Sequence, residues 1–236
     1  MNRNLLLDLD GTLVDSAPDI ASAVNRVLAK HGLAPIPLDQ MVSMIGNGTR
    51  ALLTRACAAR GRSELIAGLQ EDFLQEYHAH VSERSTLYPS VVSTLERLRA
   101  ENWRFAICTN KPESLARRLL ASMGLEDMFT AVVGGDSVSA HKPDPRHVLV
   151  TLAACSGDTQ SAIMVGDHAN DVVAANAAGI PCIFAAWGYG QRCMAKGATA
   201  TADSFDALPE IVARILPHAV DRQSLDRLPE PGLDPA

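Results

Sequence analysis

Two aspartates separated by a single residue, Asp8 and Asp10, end the apolar run of "LLLDLDGTLVDSAPD". A run of that kind reads as a buried parallel strand, and such strands do not ordinarily close on paired acids. Residues two apart on an extended chain point to the same side, so one carboxylate can attack while the other handles a proton. Gly11 lets the backbone turn away without a Cβ, and Thr12 can hold the turn by hydrogen bonding. The plain alternative is a capped strand end, since Asp and Gly both belong in turns.

Three further polar clusters follow: Thr109 and Asn110 in "CTNKP", Lys142 in "HKPDP", and Asp167 and Asp171 in "GDHAND". Each alone has a structural alternative: a helix N-cap, a solvated loop lysine, or an acidic pair favoured by a helix dipole. Together they change the electrostatics. Asp8, Asp10, Asp167 and Asp171 gathered in one crevice cannot all stay ionised without a cation. Oxygen-only donors, with no clustered His or Cys, favour Mg²⁺, which keeps positions for waters or phosphate oxygens. Lys142 suits a phosphoryl oxygen, and Thr109 and Asn110 offer donors to the same group. The set amounts to a phosphoryl-transfer site with a carboxylate nucleophile.

The elements that must position these residues follow from the apolar pattern. Strand-like runs fall at 4–9, 103–108, 131–133, 161–165 and 180–185, with helical stretches between most of them. Alternation of this kind predicts an α/β, doubly wound, Rossmann-like parallel sheet, whose ligands bind at the carboxyl ends of the strands. The four clusters sit at such ends. The first crossover is too long for one βαβ unit, and 16–88 reads as about four consecutive helices, an inserted helical cap. The core is then 1–15 and 89–216, with Pro89 opening the returning helix. The proline-rich, charged segment 217–236 reads as a mobile tail.

Composition narrows the partners. The chain has 236 residues, 47% of them apolar, enough for a substantial core. A formal net charge of -6 gives no basic stripe for nucleic acid. Five scattered cysteines without a CxxC pair suit reduced thiols and a cytoplasmic address. No apolar segment approaches the length of a membrane span, and the run before Asp8 is too short for a signal-peptide core. A small phosphorylated metabolite is the expected partner.

In order and spacing, "DLDGTLVDS", "TN", "HKPDP" and "GDHAND" resemble the four motifs of the haloacid dehalogenase superfamily of phosphohydrolases. The helical insert is similar to the small α-helical cap of its first subfamily. "GTLVDSAPDI", "IGNGTRALL", "CTNKPE" and "VVGGDS" are similar to the phosphoglycolate phosphatases in particular. The resemblance implies an Mg²⁺-dependent hydrolysis in which Asp8 is the nucleophile and Asp10 the acid and then the base. It implies Asp8, the Asp10 carbonyl and Asp167 as metal ligands, with Asp171 behind them. Thr109 and Lys142 would hold the phosphoryl group. His168 stands where relatives more often carry Ser or Glu.

The "MIGNGTR" turn of the cap is the expected reader of the leaving group. Gly46 and Gly48 permit close approach, Asn47 can present an amide, and Arg50 offers a fork for a carboxylate. A solvated first-turn arginine is the alternative. A phosphomutase or another small-phosphate phosphatase shares the core chemistry. A phospho-accepting signalling module shares the Asp, Thr, Lys and Mg²⁺, in a different order along the chain.

Overall fold

The structure, a computed structural model, describes residues 3–217, and the tail expected over 217–236 lies outside them beyond Pro217. The chain begins with β1 (Arg3–Leu7) and β2 (Val14–Asp15), and then enters four helices: α1 (Ala17–Lys30), α2 (Leu38–Val42), α3 (Gly48–Ala58) and α4 (Ile66–Ala79). It returns through β3 (Thr86–Leu87), α5 (Val91–Ala100), β4 (Trp103–Cys108), α6 (Glu113–Ser122) and β5 (Phe129–Val133). The remainder is α7 (Pro145–Ala154), β6 (Ala162–Gly166), α8 (Ala169–Ala177), β7 (Cys182–Ala185), β8 (Ala200–Ala202) and α9 (Leu208–Ile215). Six strands form one parallel sheet in the order β5-β4-β1-β6-β7-β8. The expected α/β class therefore holds. The chain winds outward from β1 to β4 and β5, then crosses to β6 on the other side, which opens a crevice at the carboxyl end of β1.

The leucine run explains why β1 is central. Successive strand residues face opposite sides, so three leucines in a row can be buried only if both faces are covered. Leu5 and Leu7 join a core with Leu95 and Leu98 of α5, Leu119 of α6 and Val212 of α9. Leu6 enters a second core on the other face, with Val148 and Leu152 of α7 and Val172 of α8. No helix among the described residues is long and apolar enough to cross a membrane.

The helical insert leaves and re-enters at one place. Strands β2 and β3 form an antiparallel ribbon pairing Val14 with Leu87 and Asp15 with Thr86. The buried Asp19 carboxylate accepts from the backbone N–H groups of Arg84 and Ser85, and from the Ser85 hydroxyl at 2.6 Å. This ties the first turn of α1 to the chain's return. Buried Ile20, Val24, Val27 and Leu28 of α1 recur at helical spacing and share a core with Leu69, Phe73 and Tyr77 of α4.

Several boundaries differ from the sequence expectation. β1 stops at Leu7, so Asp8 and Asp10 stand beyond the strand, on the loop. β7 begins only at Cys182, because Pro181 has no N–H to give the ladder. The edge strand β8 and the ribbon carry too few apolar residues to have been seen. Pro89 precedes α5 by two residues, and Ser90, at φ 64°, turns the chain into that helix.

Candidate active site

Asp8 follows directly from the β1 ladder. Its N–H donates to Val165 O of β6 at 2.9 Å, which fixes its backbone at the mouth of the crevice. Its Oδ1 accepts from Leu9 N–H at 2.8 Å and lies 3.1 Å from Lys142 Nζ. Gly11 adopts φ 83°, and a Cβ there would lie 2.8 Å from Asp167 Cγ. Glycine is required on both counts. The Thr12 hydroxyl does not hold the turn as the sequence suggested; it crosses to Asp167 Oδ1 at 3.1 Å.

Asp8, Asp167 and Asp171 present carboxylate oxygens within 4.8 Å of one another, and all three are buried. Asp167 Oδ2 accepts from the N–H groups of Tyr189, at 2.7 Å, and Gly190. Burial first, then the neighbouring Asp8 and Asp171, push its carboxyl up to about 8. Asp171 is pushed up as well, chiefly by burial, against the pull of Lys142. A buried trio of acids with this mutual repulsion fits a hard divalent cation such as Mg²⁺, and its oxygen-only donors fit no soft metal.

Lys142 Nζ donates to Cys108 O at 2.5 Å and Asp171 Oδ1 at 2.6 Å and faces Asp8, so all its bonds lie inside the site. Burial opposes its charge, but Asp171 and Asp8 more than offset that and raise it above the ordinary lysine range. Thr109 is buried at the end of β4, where its N–H donates to Val133 O and its Oγ1 accepts from Lys111 N–H. The Asn110 side chain is committed to main chain: Nδ2 donates to Lys142 O at 3.0 Å and Gly46 O at 3.2 Å, and Oδ1 accepts from Lys142 N–H at 3.0 Å. It positions loops and has little left for a phosphoryl group.

Asp10 stands apart from the trio. Its Oδ1 accepts from the Ser16 hydroxyl at 2.5 Å, and Lys111 Nζ approaches Oδ1 at 2.9 Å and Oδ2 at 3.1 Å. Lys111 is a site residue that sequence reasoning missed, although it stands in the quoted "CTNKPE". Its ammonium also donates to the hydroxyl of Tyr77, on α4, at 2.7 Å. Burial works against its charge, but Asp10 and Tyr77 prevail and raise it. Tyr77 itself is pushed up to about 12, by burial above all.

Arg50 is not brought to this crevice. It is exposed in the first turn of α3 and lines a neighbouring groove with Arg55, Gly135 and His141, while the cavity over Asp8 and Asp10 is lined on that turn by Gly46, Gly48 and Thr49. A first-turn side chain on the outer face of a helix cannot turn back across its own backbone. His168 caps α8: its Nδ1 accepts from Asn170 N–H at 3.4 Å, and its own N–H donates to Asp171 Oδ2 at 3.0 Å. Its ring lies against Gly46, where a Cβ would come within 2.9 Å of Cδ2. Asn170 Nδ2 donates to Gly46 O at 2.8 Å, so that one carbonyl accepts from Asn110 and Asn170 together.

The profile of the haloacid dehalogenase-like hydrolases matches residues 5–185, which span β1 to β7 and every carboxylate of the trio. The chain belongs to that family. A curated phosphoglycolate phosphatase of Caulobacter vibrioides is 38% identical over 216 residues, 90% of this chain and 91% of its own. One of Agrobacterium fabrum is 42% identical over 188 residues, covering 78% of this chain and 80% of its own. The crystal structure of a predicted phosphoglycolate phosphatase from Haemophilus somnus superposes with a TM-score of 0.83 at 29% identity, covering 89% of this chain and 98% of that one.

Proposed function

We propose that this chain is an Mg²⁺-dependent phosphatase that hydrolyses a small phosphate monoester, 2-phosphoglycolate being the substrate favoured, through an aspartyl-phosphate on Asp8. One observation carries the reading. Asp8 lies in the buried trio beside Lys142, while Asp10, two residues on, stands outside it against Ser16 and Lys111. Two carboxylates so differently surrounded divide naturally into a nucleophile and a proton carrier. Similarity to curated phosphoglycolate phosphatases supports the substrate.

Asp8 Oδ1 is held by Leu9 N–H and Lys142, and its Oδ2 attacks phosphorus as the ester P–O bond breaks. Asp10 gives its proton to the departing alkoxide. It then takes a proton from water, whose oxygen displaces Asp8 from phosphorus and releases inorganic phosphate. Lys142 compensates charge on Asp8 and on the phosphoryl group throughout, and the Thr109 hydroxyl lies beside that group. Asp8, Asp167 and the Asp10 carbonyl are the residues that would hold Mg²⁺, with Asp171 behind them. When bound, the ion supplies charge neutralisation for the carboxylates and the phosphoryl oxygens.

Release of phosphate from a panel of small monoesters, with and without EDTA, tests the activity. Rapid acid quench during turnover, borohydride reduction and mass spectrometry of the Asp8 peptide test the intermediate, because an acyl phosphate on Asp8 is reduced to the alcohol while a free carboxylate is not. No reduced residue at Asp8, or full activity in excess EDTA, would overturn the corresponding part.

A further inference from the structure

The site contains two buried ammonium groups, and phosphoryl transfer employs only one. Lys142 faces Asp8 and Asp171. Lys111 faces Asp10, on the side where the leaving group must sit, with its ammonium 4.4 Å from the centroid of the Tyr77 ring and bonded to the Tyr77 hydroxyl. Its side chain is 2% exposed. On the cap side the cavity walls are apolar: Ile20, Ile45, Leu52 and Phe73. Among the residues lining this cavity, Lys111 is the one cation. An ammonium in apolar surroundings requires a charged or well-placed polar partner, and here Asp10 and Tyr77 supply it.

A leaving group entering this space displaces part of that arrangement, and what it offers in return decides whether it is accepted. A neutral methyl or hydroxymethyl group leaves Lys111 undercompensated. A carboxylate replaces the charge of Asp10 with its own and frees Asp10 for the ester oxygen. We infer that Lys111, held in place by Tyr77, is the residue that selects a carboxylate on the carbon next to the phosphate ester. The inference rests on the phosphatase reading above. It gives to a buried lysine of the core the part that the sequence suggested for Arg50 of the cap.

The test compares 2-phosphoglycolate with ethyl phosphate in wild type, Lys111→Met and Tyr77→Phe. Both substrates will lose rate in Lys111→Met because Asp10 loses its neighbour, so the readout is the ratio of their kcat/KM values. That ratio should fall about 10- to 100-fold in Lys111→Met, the worth of one charge-assisted hydrogen bond, and less in Tyr77→Phe. An unchanged ratio overturns the inference and leaves Lys111 as a support for Asp10. A second arm measures Kd for both compounds in Asp8→Asn with and without Lys111→Met, where selectivity is read without turnover. If no monoester releases phosphate, the phosphatase reading fails, and this arm still decides whether Lys111 prefers the carboxylate. Should Lys111→Met not fold, Lys111→Gln serves in both arms, with the same expected fall in ratio.

Discussion

Without its metal the protein should lose stability as pH rises from 6.5 to 8, and Asp167 should be responsible. Its carboxyl titrates at about 8 in the fold against 3.8 in an unfolded chain. A raised acid holds its proton more tightly when folded, so the stability it contributes is complete below the unfolded value and is lost as pH climbs toward the folded one. At 1.36 kcal/mol per pH unit, the loss reaches about 4 kcal/mol by neutrality. Buried His147 acts in the opposite sense: burial, and then Lys142, depress it from 6.5 to about 4, so its contribution grows as pH rises to 6.5 and then stops. The Asp167 and His147 effects nearly cancel in the acid range, where Asp171, raised as well, adds a loss of the same sign as that of Asp167. Above pH 6.5 the Asp167 effect dominates and should amount to about 1.5 kcal/mol by pH 8. Urea unfolding in EDTA at pH 6.5, 7.2 and 8.0 measures it. Asp167→Asn should flatten the profile, and saturating Mg²⁺ should reverse the loss in wild type. Metal-free stability that stays level or rises over this range would refute the reasoning.

Other substitutions separate the remaining parts. Gly11→Ala should cost about 2 kcal/mol or more in urea unfolding, from its left-handed backbone and the close Asp167 carboxylate, and should weaken Mg²⁺ binding by calorimetry. Arg50→Ala should change kcat/KM for 2-phosphoglycolate by less than about 2-fold, since an exposed side chain outside the cavity has little to lose. Asn110→Ala removes bonds to Lys142 N–H, Lys142 O and Gly46 O; about 1–3 kcal/mol of stability should go with them, together with most of kcat. Asp10→Asn should abolish turnover while calorimetry still detects Mg²⁺, because a backbone carbonyl survives the change.

The buried strands and the acids at their ends were legible because both signals are local: an unbroken apolar run, then a polar residue where the sheet stops. Asp8, Thr109, Lys142 and Asp167 could be placed at one crevice from topology alone. What escaped depends on contacts between distant segments. Lys111 stands directly after Asn110 in the sequence, but its meaning comes from Tyr77, 34 residues away, and from Asp10, 101 residues away. Arg50 lies off the cavity for a related reason. A helix start gives the direction of the helix, and which face of it meets the core is settled by packing. The edge strand β8 and the β2/β3 ribbon are too short to carry a periodicity.

The carbonyl of Gly46 bears on how such an enzyme could change its substrate over evolutionary time. The turn that covers the crevice is gripped through a main-chain oxygen by Asn110 and Asn170, one following β4 and the other opening α8. Every residue type carries that oxygen, and Gly46, at φ 112°, is the position that must remain glycine to present it. That grip asks nothing of the side chains on the turn. Mutations in the neighbouring helices can therefore reshape the walls of the cavity while the same two amides still seat the cap, which lets the lineage explore new leaving groups without first losing closure.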